Sequence, residues 1–108
     1  MIGGLGVIAS QISTSKTATP TITGTAYSET FKGVTTFYLK WTIKNNDLLS
    51  ATVYTKIDSN NWVATTVASG ASTTKTKSSS YSIIGTLYAY AQADGKLVSD
   101  TASLLLSN

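Results

Sequence analysis

Residues 34–44, Val-Thr-Thr-Phe-Tyr-Leu-Lys-Trp-Thr-Ile-Lys, form the stretch that decides the fold class of this chain. Large apolar side chains occupy every second position of its second half, at Phe37, Leu39, Trp41 and Ile43. Successive side chains of a β-strand point to opposite faces, so these four share one face and the residues between them share the other. The stretch therefore predicts a strand whose apolar face lies in a hydrophobic core, to which we assign these four residues.

The same period of two recurs along the rest of the chain. In residues 51–57 it assigns Val53 to the core, and in the whole chain it predicts seven strands, at residues 21–27, 34–44, 51–57, 62–67, 72–80, 87–93 and 97–106. Residues 72–80 are so polar that they fit either an edge strand or a loose loop, because lysine and short polar side chains protect a sheet edge. Seven short strands at this spacing predict an all-β chain, folded as a seven-stranded antiparallel β-sandwich.

Turn signals separate the predicted strands. Asn45-Asn46-Asp47 and the longer Asp58-Ser59-Asn60-Asn61 are predicted turns, since Asn and Asp tolerate left-handed backbone and hydrogen-bond their own main chain. Asp94-Gly95 predicts a two-residue type I′ hairpin between the last two strands. The oxygen-rich residues 58–61 lack the spacing and the closing Glu of a calcium-binding loop, so we interpret them as turn chemistry.

Composition excludes several classes of partner. Charged residues make up 12% of the 108 residues, and the net charge of +3 comes from eight lysines and five acids, with no arginine. The lysines are scattered, whereas proteins that bind nucleic acid cluster their basic residues and use arginine to read guanine. No window approaches the roughly 20 apolar residues of a membrane-spanning helix. We therefore expect neither a nucleic-acid partner nor a membrane span.

The chain lacks the residue types on which most catalytic and metal sites depend. Histidine and cysteine are both absent, which removes the commonest general base, a common metal ligand and the thiol nucleophile. Four of the five acids fall in predicted turns or at strand ends, where a carboxylate is ordinarily solvated. We therefore expect no enzyme activity, no metal and no cofactor.

Aromatic residues are the candidates for binding. Trp41 lies on the apolar face of its strand and is assigned to the core, whereas Trp62 directly follows the polar loop that contains Asn60 and Asn61. Tryptophan is enriched among the residues that dominate protein interfaces, so we expect Trp62, Asn60 and Asn61 to contact a partner. Tyr54 and Tyr90 lie opposite the aliphatic faces of their strands. If they are neighbours, they form either a ligand platform or an ordinary cross-strand pair.

Residues 1–15 precede the predicted sandwich, which we place at residues 16–108. This segment is apolar and rich in glycine, and its large apolar residues are costly to leave in water. We expect it to be a docking arm that lies on its own domain as an extra strand or adds to the sheet edge of a neighbouring subunit. The predicted arm contacts are Ile2, Leu5, Val7, Ile8 and Ile12. Without a basic region or a clean cleavage site, the segment does not fit a secretory signal peptide.

Residues 20–106 resemble a fibronectin type III or immunoglobulin-like (Ig-like) domain. The matching motifs are Pro20-x-Ile22, Leu39-Lys40-Trp41, Val53-Tyr54 and Gly85-Thr86-Leu87-Tyr88. The resemblance implies that Tyr88 is a corner tyrosine, part of the structural core, whose hydroxyl bonds to nearby backbone. The family usually carries Leu and Pro just before the glycine, where this chain has Ser82 and Ile84.

The amino-acid sequence of residues 51–59, 67–71 and 88–96 is similar to that of Ig-like modules on bacteriophage virion proteins. This resemblance implies a non-enzymatic virion structural module: a capsid-decorating, fibre or tail-associated protein on the particle surface, with virion proteins or copies of itself as partners. Two alternatives stay open. One is an adhesive or carbohydrate-binding module on a cell surface, with Trp62 and the turns at residues 45–47 and 58–61 as glycan contacts. The other is a subunit of a cellular filament.

Overall fold

The computed structural model describes residues 15–108, which fold into two antiparallel β-sheets packed face to face. The seven strands are β1 (Thr21–Phe31), β2 (Val34–Lys44), β3 (Ala51–Ile57), β4 (Val63–Val67), β5 (Ser72–Ser79), β6 (Ile84–Ala93) and β7 (Ala102–Ser107). One sheet has the order β1-β2-β5 and the other the order β4-β3-β6-β7. The predicted all-β, seven-stranded antiparallel sandwich is confirmed. In residues 15–108 no helix is long and apolar enough to cross a membrane.

The hydrophobic core lies between β2 of one sheet and β3 and β6 of the other. Leu39, Trp41, Ile43 and Val53 are fully buried there, as predicted. They pack against the small inward side chains of β6, and a Cβ at Gly85 would lie 3.3 Å from the Trp41 ring. The indole Nε1 of Trp41 donates a hydrogen bond of 3.0 Å to the carbonyl oxygen of Leu104 in β7. Trp41 therefore joins the two sheets by packing and by this bond.

Two residues that were assigned to the core lie outside it. Phe37 is only half-buried because it pairs with Ser28 and with Ser79, the last residue of β5, near the end of the sandwich. Tyr88 is half-buried on the outer face of β6, since the alternating residues Leu87 and Ala89 point into the core. Among the described residues the Tyr88 hydroxyl has no hydrogen-bond partner. Its predicted role as a core corner tyrosine is wrong.

Two turns differ from their predictions. Strand β1 does not end at residue 27 but continues to Phe31, where Lys32 and Gly33 form a two-residue turn with φ angles of 52° and 79°. Positive φ at both central residues is the type I′ geometry that matches the twist of a hairpin. At Asp94-Gly95 only the glycine has positive φ, and β7 begins at Ala102. The predicted type I′ hairpin is wrong because a six-residue connection, residues 96–101, lies between the turn and β7.

The polar residues 72–80 form an edge strand, which settles the alternative left by the sequence. β5 pairs only with β2, and its inward positions carry Lys75 and Lys77 instead of apolar side chains. Lys77 Nζ contacts Asp58 Oδ2 at 2.7 Å and the Ile84 carbonyl oxygen at 2.9 Å, which links this edge to the other sheet. Inward-pointing charges on an edge strand oppose pairing with a further strand.

A polar network closes the end of the sandwich at which the described chain begins. Thr17 is buried, donates its hydroxyl to the Leu97 carbonyl at 2.8 Å and accepts the N–H of Ala93 at 2.9 Å. Asn45, which is fully buried, donates to the Leu49 and Val67 carbonyls and accepts the N–H of Asp47. The segment entering β1 is thus held against the β6–β7 connection. The predicted arm contacts at Ile2, Leu5, Val7, Ile8 and Ile12 lie outside the described residues.

Candidate binding surface

The outer face of the four-stranded sheet carries a group of aromatic rings. Strand register places Tyr54 of β3 directly opposite Tyr90 of β6, and Lys56 directly opposite Tyr88. Trp62 lies just before β4, on the other side of β3. We call the five residues Tyr54, Lys56, Trp62, Tyr88 and Tyr90 the aromatic face.

The rings of the aromatic face are in mutual contact. Tyr54 and Tyr90 are stacked, with their centroids 4.8 Å apart and their planes inclined by 14°. Trp62 reaches across β3 and meets Tyr90 edge-on, with a centroid distance of 4.9 Å and an interplanar angle of 73°. Both arrangements are favoured geometries for aromatic pairs. Trp62 nevertheless keeps 41% of its surface exposed, so the group is accessible to a partner.

Lys56 gives the aromatic face a positive charge. Its Nζ lies 5.0 Å from the centroid of the Trp62 ring and 5.4 Å from that of Tyr88. These distances allow attraction between the ammonium group and the electron-rich ring faces. Among the described ion pairs, none includes Lys56. Its charge is therefore held in place by rings and is not neutralised by a carboxylate.

An open depression adjoins the aromatic face on the same side of the sheet. It has a volume of about 440 Å³ and is lined by residues that include Thr52, Thr66, Gln92 and Asp94. Thr52 and Gln92 lie two positions from Tyr54 and Tyr90 in their strands, so the depression continues the surface of the rings. The hydroxyls of Thr52 and Thr66 have no hydrogen-bond partner within residues 15–108. The rings and the depression together offer stacking surfaces beside free polar groups.

The structure brings together some of the predicted contact residues and separates others. Tyr54, Tyr90 and Trp62 form one cluster, whereas Asn60 and Asn61 line a small pocket of about 120 Å³ whose lining includes Lys75 and also Lys56 of the aromatic face. The turn at residues 45–47 is unsuitable as a ligand contact, because Asn45 and Asp47 are buried in the polar network. Lys56, Tyr88, Thr52, Thr66 and Gln92 were not predicted as contacts. The sequence did offer a signal for them. Each alternates along its strand with residues that face the core, which places it on the outer face of the sheet.

The acids of the described chain serve mainly as structural ion-pair partners. Lys96 Nζ lies 3.1 Å from Asp47 Oδ1, Lys77 Nζ lies 2.7 Å from Asp58 Oδ2, and Lys16 Nζ lies 2.6 Å from Asp100 Oδ1. Within residues 15–108, no three His, Cys, Asp or Glu residues converge on a common point that could hold a metal ion. These contacts account for three of the five acids, Asp47, Asp58 and Asp100, through the architecture of the sandwich.

Two of these carboxyls have perturbed acidities. The backbone N–H of Ala18 bonds to Asp47 and holds the pKa of that carboxyl below its usual value, with further lowering by Lys96 and the Leu49 N–H and an opposing effect of burial. The hydrogen bond from Lys77, followed by that from the Thr86 N–H, lowers the pKa of Asp58. In both cases the fold stabilises the charged form of the carboxyl.

We expect acid to destabilise the sandwich through these two carboxyls. An Asp whose pKa is lowered by folding takes up its proton more readily in the unfolded chain, so protons favour unfolding. The stabilisation is present above the unfolded-state pKa, for which 3.8 is the reference value, and is lost as the pH falls through the lower folded-state pKa values. Urea unfolding at a series of pH values between 2 and 7 measures this. Asp47→Asn should flatten the acid side of the curve, and an unchanged curve would contradict the assignment to Asp47.

Comparisons of the chain with protein-family models, with curated proteins and with solved structures found no match.

Proposed function

We propose that this chain is a non-enzymatic virion structural module, an Ig-like sandwich that docks on a particle and is displayed at its surface. The observation that carries the proposal is the aromatic face, a surface cluster of contacting rings with a lysine, in which Trp62 is exposed and the tyrosines are half-buried. We assign to it the role of contact surface. Its location is the extracellular surface of the particle, as a capsid decoration, a fibre or a tail-associated protein.

The composition of the aromatic face supports a contact role. Aromatic residues are enriched in the central parts of protein interfaces and supply most of the residues whose truncation weakens binding strongly. Trp62 is exposed and lies at the edge of the cluster, where a partner can cover it. Leu105, on the outward side of the adjacent strand β7, is also exposed and extends the apolar surface. A surface of this kind fits a protein that acts by binding.

The strand arrangement supports the Ig-like part of the proposal. The seven strands divide into sheets of three and four, as in Ig domains. β4 pairs with β3, whereas in the Ig constant-type arrangement the fourth strand joins the sheet of the first, second and fifth strands. That departure fits the fibronectin type III side of the resemblance, since such domains share the sandwich architecture without always sharing the topology.

The proposal also gives residues 1–13 a role in docking to the particle or to further copies of the chain. The first described contacts of the sandwich are made by Ser15 and Thr17, which exchange backbone hydrogen bonds with Leu97. A chain without residues 1–13 keeps these contacts. We therefore expect it to fold as a monomer that no longer associates with particles, whereas the full-length chain assembles or associates.

The test uses the full-length chain and the chain without residues 1–13 side by side. Light scattering measures assembly, circular dichroism measures folding, and co-sedimentation with purified virions of the source measures docking. Mass spectrometry of those virions, with immunogold labelling, should place the native protein on the particle. Its absence from virions would overturn the proposal, and filaments that grow with concentration would favour the filament alternative. Equal association by both chains would remove the docking role of residues 1–13.

A further inference from the structure

We propose that the aromatic face and the adjoining depression form a single binding site for a carbohydrate chain. This inference rests on the proposed role of the aromatic face as the contact surface and adds the chemical class of the ligand. The rings would stack on the apolar C–H faces of sugar residues, and the depression would bind the hydroxyl groups of the same or the next sugar.

The stacking part of the site depends on Tyr54 and Trp62. One side of the Tyr54 ring is covered by Tyr90, and the cross-strand neighbour on the other side is Ala64 of β4. Because Ala64 carries only a methyl group, it is too small to cover that side of the ring. Trp62 stands beside the same group and is exposed over 41% of its surface. A ligand with an apolar face, such as the C–H face of a pyranose, can therefore stack on rings that already contact one another.

The hydrogen-bonding part of the site is supplied by the depression. Thr52 and Thr66 face each other across β3 and β4, and each hydroxyl can both donate and accept a hydrogen bond. Gln92 uses its Nε2 to bond the Lys96 carbonyl, and within residues 15–108 its Oε1 has no donor and can act as an acceptor. The Asp94 carboxylate, also in the lining, is a strong acceptor for sugar hydroxyls. The volume of about 440 Å³ lies in the range of roughly 300–1,000 Å³ that is common for small-molecule sites.

Charge distinguishes a carbohydrate from the other ligands that stack on rings. Nucleic acids also stack on aromatic side chains, but they bring one phosphate per nucleotide and need a basic groove. Here Lys56 is the one basic residue of the aromatic face, and the acid Asp94 lines the depression. The depression adds the hydroxyls of Thr52 and Thr66, which have no hydrogen-bond partner within residues 15–108 and can bond the hydroxyl groups of a sugar. Uncharged polyhydroxyl ligands fit both halves of the surface.

The test is binding of the full-length chain to immobilised oligosaccharides built from glucose, galactose, mannose and N-acetylhexosamine units. The best binder is then titrated in solution and followed by amide chemical shifts in every variant, and by tryptophan fluorescence where Trp62 is retained. We expect saturable binding that Tyr54→Ala and Trp62→Ala weaken at least tenfold and that Thr66→Ala weakens severalfold. Trp62→Phe should retain part of the affinity, because it keeps a ring at that position.

Tyr38→Ala is the matched control. Tyr38 stacks on Tyr27 at 5.0 Å on the outer face of the other sheet, so the control removes one ring of an equivalent tyrosine pair. It should leave the affinity unchanged, and unfolding curves verify that every variant is folded. Binding to no oligosaccharide, or equal loss in Tyr38→Ala and Tyr54→Ala, overturns the carbohydrate site. If virions nevertheless carry the protein, the proposed function stands and only the ligand class is wrong. If virions lack it, the proposed function fails whatever the binding result.

Discussion

Replacing Trp41 by alanine is expected to lower the free energy of unfolding by about 3–5 kcal/mol, the usual cost of removing a buried large aromatic side chain. Trp41 is the largest fully buried side chain of the described structure. The substitution leaves a cavity beside Leu39 and Gly85, and it leaves the Leu104 carbonyl without the indole donor. A domain of this size is stabilised by only about 5–15 kcal/mol, so the loss is a large fraction of that margin.

Urea unfolding followed by circular dichroism measures this loss, and two further variants identify its cause. Trp41→Phe keeps a ring in the core but removes the hydrogen bond, so it should cost less than Trp41→Ala. Trp62→Ala removes the same side chain from an exposed position and should cost about 1–2 kcal/mol, less than Trp41→Ala, since only the contacts with Tyr90 and Lys56 are lost. Equal losses at the two tryptophans would show that Trp41 does not hold the sheets together.

Asn45→Ala is expected to destabilise the sandwich by about 3 kcal/mol, although it removes a small polar side chain. The side chain is fully buried and makes three hydrogen bonds, to the Leu49 and Val67 carbonyls and from the Asp47 N–H. Alanine removes all three bonds: the Asp47 N–H is left buried without a partner, and the Val67 carbonyl keeps only the long 3.4 Å contact with the Ser50 hydroxyl. Each buried backbone group that loses its partner costs about 1–3 kcal/mol. The measurement is again the urea midpoint, together with hydrogen exchange of the Asp47 amide, which should become much faster.

The adjacent Asn46 offers a matched control for this prediction. Its amide donates to the Thr19 carbonyl and the Thr21 hydroxyl, but the residue is exposed, so water can replace both bonds. Asn46→Ala should therefore cost less than about 1.5 kcal/mol. If Asn45→Ala and Asn46→Ala are equally mild, the buried network is not a major source of stability.

The sequence predicts the strands well where one face is buried. The alternation around Trp41 gives the bounds of β2, and the alternation around Val53 gives those of β3, because burial on one face imposes a strict period of two. The hairpin at Lys32-Gly33 was missed, since lysine carries no signal for the left-handed conformation it adopts there. Asp94-Gly95 carries that signal and forms a turn. The segment after it bonds to Ser15 and Thr17 through Leu97, and β7 begins only at Ala102.

The candidate site could be predicted only in part. The sequence placed Tyr54 and Tyr90 on the outward faces of their strands. Their contact also requires β3 to lie beside β6, and the alternation of apolar residues does not reveal which strands are neighbours. The contact of Trp62 with Tyr90 crosses β3, which lies between them, so it was even harder to predict from the sequence. Tyr88 shows the opposite error: a motif resemblance assigned it to the core, while its own parity within β6 placed it outside.

The bond between Thr17 and Leu97 has a consequence for biosynthesis. The two residues are 80 positions apart, and a nascent chain leaves the ribosome N-terminus first. At roughly 5–20 residues per second, the segment around Thr17 waits on the order of several seconds for Leu97 to be made. The pairing of β1 with β2 needs only residues 21–44 and can form during that interval. The contact between Thr17 and Leu97 can therefore form only after almost the entire described chain has been translated.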